Sequence, residues 1–142
     1  MTQTTAFMTW GPALVTGVEE IDQQHKVLVD MCNEAYQLVQ ANATAESAKK
    51  LLRDLTSYAL YHFEAEEEIA LQCGYAEDQA DQNAQHCAQH RAFATTVAEM
   101  QVELFRGNGV SMEQLFAFLR AWLTDHILGT DMQLAAYIRA KT

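Results

Sequence analysis

Five histidines and two carboxylates in this chain fall at spacings that suit a metal site. They are His25, His62, Glu66, His86, His90, His126 and Asp131, and they include every histidine in the sequence. The four-residue spacings 62/66 and 86/90 put both side chains of each pair on one face of a helix. Neutral imidazole with a few carboxylates suits iron, copper or zinc. Seven protein ligands are too many for one metal ion, and the set therefore predicts two.

Each histidine taken alone has a simpler explanation, as a hydrogen-bonded core residue. That explanation fails for the set. Without a metal, burying so many imidazoles and acids would incur a desolvation cost of several kcal/mol again and again, as one group after another is buried. Glu66 lies in an acidic run, EAEEE, that would suit a solvated helix face. It also follows His62 by one turn on the apolar stripe, whereas Glu64 and Glu67 are expected to point well away from it. Glu66 is therefore the predicted carboxylate ligand of this run.

The composition favours one globular helical domain and excludes several classes of partner. Of 142 residues, 49% are hydrophobic, with 6 Gly and 1 Pro. The net charge of −10 argues against nucleic acid and against an anionic membrane surface. No apolar run approaches the roughly 20 residues of a membrane helix, and no secretory signal is evident. Cys32, Cys73 and Cys87 form no CxxC motif, so we expect small buried thiols in a reducing cytoplasm.

Residues 1–17 are predicted to form an arm, because they lack a helical period and Gly11-Pro12 would interrupt a helix. The large apolar residues of this arm, which we expect to lie across the other elements, are Phe7, Met8 and Trp10. Thr16 and Glu19 have the spacing of a capping box. The first helix is therefore predicted to start here.

Four segments with apolar residues at intervals of three and four are predicted to be amphipathic helices. The first three end near Gln40, Cys73 and Arg106, and every segment carries part of the ligand set on its apolar stripe. Gly74 is the expected left-handed residue after the second helix, and residues 75–82 are predicted to be a loop with one helical turn. Long helices with short connections favour an all-α, antiparallel up-down-up-down four-helix bundle.

The fourth segment changes register between its histidine and its carboxylate. Asp131 comes five residues after His126, about 140° round an ideal helix. The apolar stripe then resumes at Leu134, offset by one residue. One extra residue at Gly129 or Thr130, as in a π-bulge, would explain both facts. We expect Gly129 to ease the strain because it has no Cβ.

This pattern resembles that of the hemerythrin family, and within it the single-domain bacteriohemerythrins. The matching residues are Trp10, Val18, the run from Ile21 to His25, HxxxE at 62 and 66, HxxxH at 86 and 90, and HxxxxD at 126 and 131. The resemblance implies one domain over residues 1–142, with an arm over 1–17 and a bundle over 18–140. The link from Gly74 to His86 is longer than is usual in the family and lacks proline, so its local shape is expected to differ.

The resemblance also implies a non-haem di-iron centre. His86, His90 and His126 would hold one iron, His25 and His62 the other, and Glu66 and Asp131 would bridge the pair together with an oxo or hydroxo group. Counting these ligands leaves one open position on the iron with two histidines. Reversible O2 binding at that position is the implied function, for oxygen carriage, storage or delivery.

Five apolar residues are placed near the open position by helix spacing, with plain core packing as an equal alternative. They are Leu28, Phe63, Trp122, Leu123 and Ile127. The implied protein is an oxygen binder rather than an enzyme, and we expect a monomer whose partners are O2 and an O2-consuming enzyme. A di-iron peroxidase or nitric oxide reductase stays open as an alternative, as does iron storage or sensing.

Overall fold

The computed structural model describes residues 8–41, 45–107 and 112–141, and Phe7 lies outside these ranges. Its α-helices are α1 (Glu19–Gln40), α2 (Ala45–Cys73), α3 (Tyr75–Asp78), α4 (Ala80–Arg106), α5 (Met112–His126) and α6 (Met132–Lys141). A π-helical segment, Ile127–Asp131, joins α5 to α6, and a short 3-10 turn spans Pro12–Leu14. The predicted ends of the first three long helices are therefore confirmed.

In the described ranges, the long helical units form a bundle, with α5, the π segment and α6 acting as one interrupted helix. α1 packs against α2, α2 against α4, and α4 against α5, while α5 returns to contact α1. This closed order of neighbours is expected of an up-down-up-down bundle with short connections. The predicted all-α bundle is confirmed.

The connection after α2 is more helical than predicted. Gly74 adopts the expected left-handed conformation, with φ of +93°. The next four residues form α3, and only Gln79 interrupts the helix before α4 begins. Tyr75 explains the difference, because it is buried and packs edge-on against Tyr137. The Tyr137 hydroxyl also donates to Asp78, so α6 holds this segment in place.

The start of α1 is stabilised by Asp22 and not by the predicted capping box. The Thr16 backbone N–H and hydroxyl both donate to Asp22 Oδ1, at 2.8 and 2.7 Å, and the Gly17 N–H donates to Oδ2 at 3.1 Å. The Asp22 N–H donates to the carbonyl of Val18. Asp22 accepts from the Thr16 N–H, which is the donor that Glu19 would accept from in a capping box.

The described part of the arm, residues 8–17, crosses from α1 to α6. The Met8 N–H donates to Asn33 Oδ1 at 2.7 Å, and Asn33 Nδ2 donates to the Met8 carbonyl at 2.8 Å. At its other end, Arg139 of α6 donates to the Thr16 carbonyl. Met8 is buried and Trp10 half-buried against the core. The arm therefore ties the first and last helices together.

Two hydrophobic clusters lie on either side of the ligand set. The larger fills most of the bundle and includes Leu28 of α1, Phe63 of α2 and Ile127 of the π segment. The smaller contains four buried residues, Ile21, Ala70, Tyr75 and Leu134. Along α1, α2 and the last helix, the ligands fall between a residue of one cluster and a residue of the other. The site is therefore near one end of the bundle, between a large core and a small one.

The three cysteines are free thiols. Cys32 is fully buried, and burial raises its pKa to about 12. Cys73 and Cys87 are half-buried, so the prediction of small buried thiols holds fully for Cys32 alone. None of the helices in the described part of the chain is long and apolar enough to cross a membrane.

Candidate metal centre

Every long helical unit contributes to one buried cluster of histidines and carboxylates. The contributors are His25 from α1, His62 and Glu66 from α2, His86 and His90 from α4, and His126 and Asp131 from the end of α5 and the π segment. Each of these side chains belongs to a residue at most 4% exposed. The bundle therefore brings together all seven residues singled out in the sequence.

The seven residues form two overlapping groups of ligand atoms. In each group the atoms lie within 4.8 Å of one another. One group contains His86, His90 and His126, and the other contains His25 and His62. Glu66 and Asp131 belong to both groups. Two carboxylates are thus shared between a three-histidine position and a two-histidine position.

Asp131 divides its two oxygens between the groups. Its Oδ1 lies 3.1 Å from His86 Nε2 and 3.1 Å from His126 Nε2, in the three-histidine group. Its Oδ2 lies 2.9 Å from His25 Nε2, in the two-histidine group. A carboxylate in this orientation has one oxygen for each of two metal ions.

Glu66 faces the same five-histidine cluster from α2. Its Oε1 lies 3.2 Å from His90 Nε2 and 3.3 Å from His62 Nε2, so this one oxygen faces both groups. Its Oε2 lies 3.6 Å from His25 Nε2. α2 and the π segment therefore each present one carboxylate to the same histidine cluster.

The π segment brings Asp131 to the side of the bundle where His126 lies, and it confirms the predicted register change. The expectation for Gly129 is wrong. Its φ is not positive, and a Cβ added there would meet no atom within 4 Å outside its own stretch of helical backbone. Thr130 instead makes a specific contact, because its hydroxyl donates to Gln89 Oε1 at 2.7 Å.

The donor atoms of the cluster fit a metal ion better than they fit one another. His90 Nε2 and His126 Nε2 lie only 3.0 Å apart. Each ring has an outward hydrogen bond at Nδ1, so in the neutral state both Nε2 atoms carry lone pairs and repel. Two imidazoles bound at right angles to one metal, with bonds of about 2.1 Å, would have nitrogens about 3.0 Å apart. The oxygens of Glu66 and Asp131 are also buried without a hydrogen-bond partner.

The buried imidazoles and carboxylates of the cluster shift one another's pKa values. Burial lowers the pKa of His25 and His86, but the adjacent carboxylates of Asp131 and Glu66 raise both values to about 9. Burial raises the pKa of Glu66, but the surrounding histidines lower it well below its ordinary value. Metal binding to such a site must displace protons from the imidazoles.

Three outward hydrogen bonds orient the histidine rings, and sequence reasoning missed all three partners. The pairs are His62 Nδ1 with Gln24 Oε1 at 2.5 Å, His90 Nδ1 with Glu67 Oε2 at 2.8 Å, and His126 Nδ1 with Gln89 Oε1 at 2.7 Å. The expectation that Glu67 points away from the site is wrong, because its side chain is long enough to reach α4. The available signal was position, since each partner directly precedes or follows a ligand in the sequence.

Two of the five apolar residues expected near the two-histidine position contact histidines of the three-histidine group. Leu28, Phe63, Leu123 and Ile127 are buried and Trp122 is half-buried, all in the large core. The Phe63 ring stacks on His90 at 4.0 Å and lies 5.9 Å from His62. The Trp122 ring stacks on His126 at 4.4 Å, on the three-histidine side and not the expected one. A role for any of the five residues at an O2 position stays a prediction.

Known proteins are similar to this chain over most of its length. Residues 16–138 match the model of the hemerythrin HHE cation binding domain. Bacteriohemerythrin from Pseudomonas aeruginosa (strain LESB58) is 33% identical over 135 residues, which cover 95% of this chain and 82% of that protein. The bacteriohemerythrin of Methylococcus capsulatus (strain ATCC 33009 / NCIMB 11132 / Bath) is 32% identical over 127 residues, covering 89% and 92%. The crystal structure of a hemerythrin mutant superimposes with a TM-score of 0.78 at 30% identity, covering 93% of this chain and 97% of that one.

The family match and the donor cluster both indicate cation binding, and both lie in the same part of the chain. The matched span contains all seven candidate ligands, and the family is described by its cation binding. Histidine with carboxylate is also a donor set that suits iron. This chain belongs to the hemerythrin family.

Proposed function

We propose that this protein binds O2 reversibly at a non-haem di-iron centre, for oxygen carriage, storage or delivery. The observation that supports the proposal is the pair of overlapping donor groups that share Glu66 and Asp131. A site for one metal ion would need only one of these groups. Two positions joined by two carboxylates suit two metal ions held close together.

The proposed ligands are His86, His90 and His126 for one iron, His25 and His62 for the other, and Glu66 and Asp131 for both. When bound, the iron pair supplies the electrons for O2 binding and an exchangeable coordination position. The two-histidine group offers one fewer imidazole, so the exchangeable position is assigned to that side. The similarity to proteins named bacteriohemerythrin supports the same proposal.

The residues around the cluster favour reversible binding over catalytic turnover. Among the described residues, no buried histidine or carboxylate exists outside the seven proposed ligands. A spare buried acid or base would speed the delivery of protons to reduced oxygen species. The buried side chains of Leu28 and Ile127, in the large core, add apolar surface to the same region. We therefore propose a binding protein and not an enzyme.

We also infer that the protein works in the cytoplasm. Its three cysteines are free, and free thiols are typical of proteins kept in a reducing compartment. The acidic net charge of −10 agrees with a partner as small and neutral as O2, since it disfavours anionic macromolecules.

Absorption spectroscopy on the iron-loaded protein tests the proposed function. The protein is loaded and reduced without oxygen, then exposed alternately to O2 and argon. We expect a charge-transfer band that appears with O2 and disappears under argon over repeated cycles. A His25→Ala variant should lose this response, and a variant of exposed Glu64, Glu64→Gln, should keep it. Irreversible loss of the band with consumption of added peroxide or nitric oxide would instead identify a di-iron enzyme.

A further inference from the structure

We propose that Glu67 is a positioning residue that adjusts the charge at the three-histidine metal position by acting through His90. The proposal rests on the metal site of the proposed function but not on O2 binding. It concerns the only one of the outward hydrogen bonds described above, from His62, His90 and His126, in which the acceptor is a carboxylate. The other two acceptors are amide oxygens of glutamines.

Two contacts hold the His90 ring, one from the carboxylate of Glu67 and one from the ring of Phe63. Glu67 Oε2 lies 2.8 Å from His90 Nδ1, and it belongs to a side chain that is 40% exposed. The ring of Phe63 stacks on His90 at 4.0 Å with an interplanar angle of 8°. The stacking fixes the plane of the imidazole, and the carboxylate fixes its rotation. Nε2 of His90 is then aimed at Glu66, whose Oε1 is 3.2 Å away.

A carboxylate acceptor changes the ligand more than an amide acceptor does. A hydrogen bond to a charged acceptor is roughly twice as strong as one to a neutral acceptor. Through the imidazole, the carboxylate raises the basicity of the nitrogen that binds metal. A more basic ligand stabilises a higher positive charge on the metal, and so favours ferric over ferrous iron. Because His90 belongs to the three-histidine group, this effect falls on the metal position without the exchangeable site.

The chain provides its own neutral comparison for this contact. Gln89 holds His126 at 2.7 Å in the same three-histidine group, and its oxygen also accepts from Thr130. Glu67→Gln keeps an oxygen acceptor for His90 but removes its charge. Gln89→Glu adds a carboxylate to the other histidine. The double variant therefore moves the charge from one ligand to another while the number of hydrogen bonds stays the same.

Two measurements test the proposal without O2. In the zinc-loaded protein, we expect Glu67→Gln to weaken Zn2+ affinity by about tenfold, as is usual when such a partner of a metal-binding histidine is changed. In the iron-loaded protein, the midpoint potential for reducing ferric to ferrous iron, one electron per iron, should rise. A tenfold change in that equilibrium is about 59 mV. The Glu67→Gln plus Gln89→Glu double variant should return both values toward those of the parent.

Glu64→Gln is the matched control, since it removes the same charge from the exposed face of the same helix. We expect it to leave both measurements unchanged. The proposal is overturned if Glu67→Gln equals the parent and only Glu67→Ala weakens zinc binding, because a hydrogen-bond acceptor of any charge would then be enough. It is also overturned if Glu64→Gln has the same effect as Glu67→Gln. A protein that fails to bind O2 but still gives the expected zinc result would contradict only the proposed function.

Discussion

At the scale of single residues, the burial of the Glu66 and Asp131 carboxylates carries the largest cost in free energy of folding. Both side chains are without exposure to solvent, and among the described residues their oxygens meet only histidine nitrogens at ion-pair distance. Burying an ion costs several kcal/mol unless its charge is compensated. Two divalent cations would compensate both carboxylates at once. The metal is therefore expected to be part of the core and not an addition to it.

Replacing one histidine of the two-histidine group should empty one metal position and leave the other filled. In His62→Ala, that group keeps only His25 as an imidazole ligand, whereas the three-histidine group keeps every donor. We expect the iron content to fall from about two ions to about one ion per chain, since affinity depends on ligand number. Elemental analysis measures this. Tyr61→Ala, at an exposed neighbouring position, is the control. Retention of two irons in His62→Ala would exclude His62 as a ligand.

At the scale of elements, the π segment is what allows one helix to supply both a histidine and a shared carboxylate. In a regular α-helix, residues five apart point about 140° away from each other. The five residues Ile127–Asp131 widen the helix locally, and as a result Asp131 reaches both donor groups. α6 then continues with Leu134 packed in the small cluster. The bulge thus sets the position of the metal site and of everything after it.

Inserting one alanine between Thr130 and Asp131 should destroy the metal site and loosen α6. The π segment already holds one residue more than a regular helix, and a second extra residue would rotate every later residue by about 100°. Asp131 would then miss both donor groups, and Leu134 would leave the small cluster. We expect loss of bound iron, measured by elemental analysis, and a lower unfolding temperature, measured by circular dichroism.

The matched control for this insertion is Gly129→Ala. A Cβ at Gly129 would meet no atom within 4 Å outside its own stretch of helical backbone, and the backbone there has no positive φ. We therefore expect full iron content and a change in unfolding free energy below about 1 kcal/mol. If Gly129→Ala abolished iron binding, the glycine itself would be required, and the length of the segment would not be the explanation.

At the scale of the molecule, the sequence predicts those features that depend on residues close together in one helix. The ligand spacings, the helix ends and the bulge before Asp131 all depend on the period of a single helix, and each was predictable. The errors arise where side chains reach between elements. Asp22 caps the arm because three loop donors converge on it, and Glu67 reaches His90 on another helix. Helical spacing gives the face of a residue, but not how far a long side chain extends from it.

Removing the metal should destabilise one end of the bundle more than the other. The ligands separate the large core from a cluster of only four buried residues, Ile21, Ala70, Tyr75 and Leu134. Without metal, that small end is joined to the rest through protonated histidines and buried carboxylates. A ligand present at 1,000 times its dissociation constant stabilises by about 4.1 kcal/mol, which corresponds to a shift of roughly 10 °C in unfolding temperature for a chain of this size.

The expected result is therefore a lower unfolding temperature after chelation, restored when iron is added back. Hydrogen exchange in the chelated protein should increase most in α3, in the π segment and at the start of α6, which surround the small cluster. The middle of α2 near Leu52 and Leu55, deep in the large core, should stay protected. The same chelation of a His62→Ala protein should give a smaller temperature shift, because less metal is lost. Equal unfolding temperatures with and without iron, or an exchange increase spread evenly over all helices, would contradict this account of the metal as the link between the two cores.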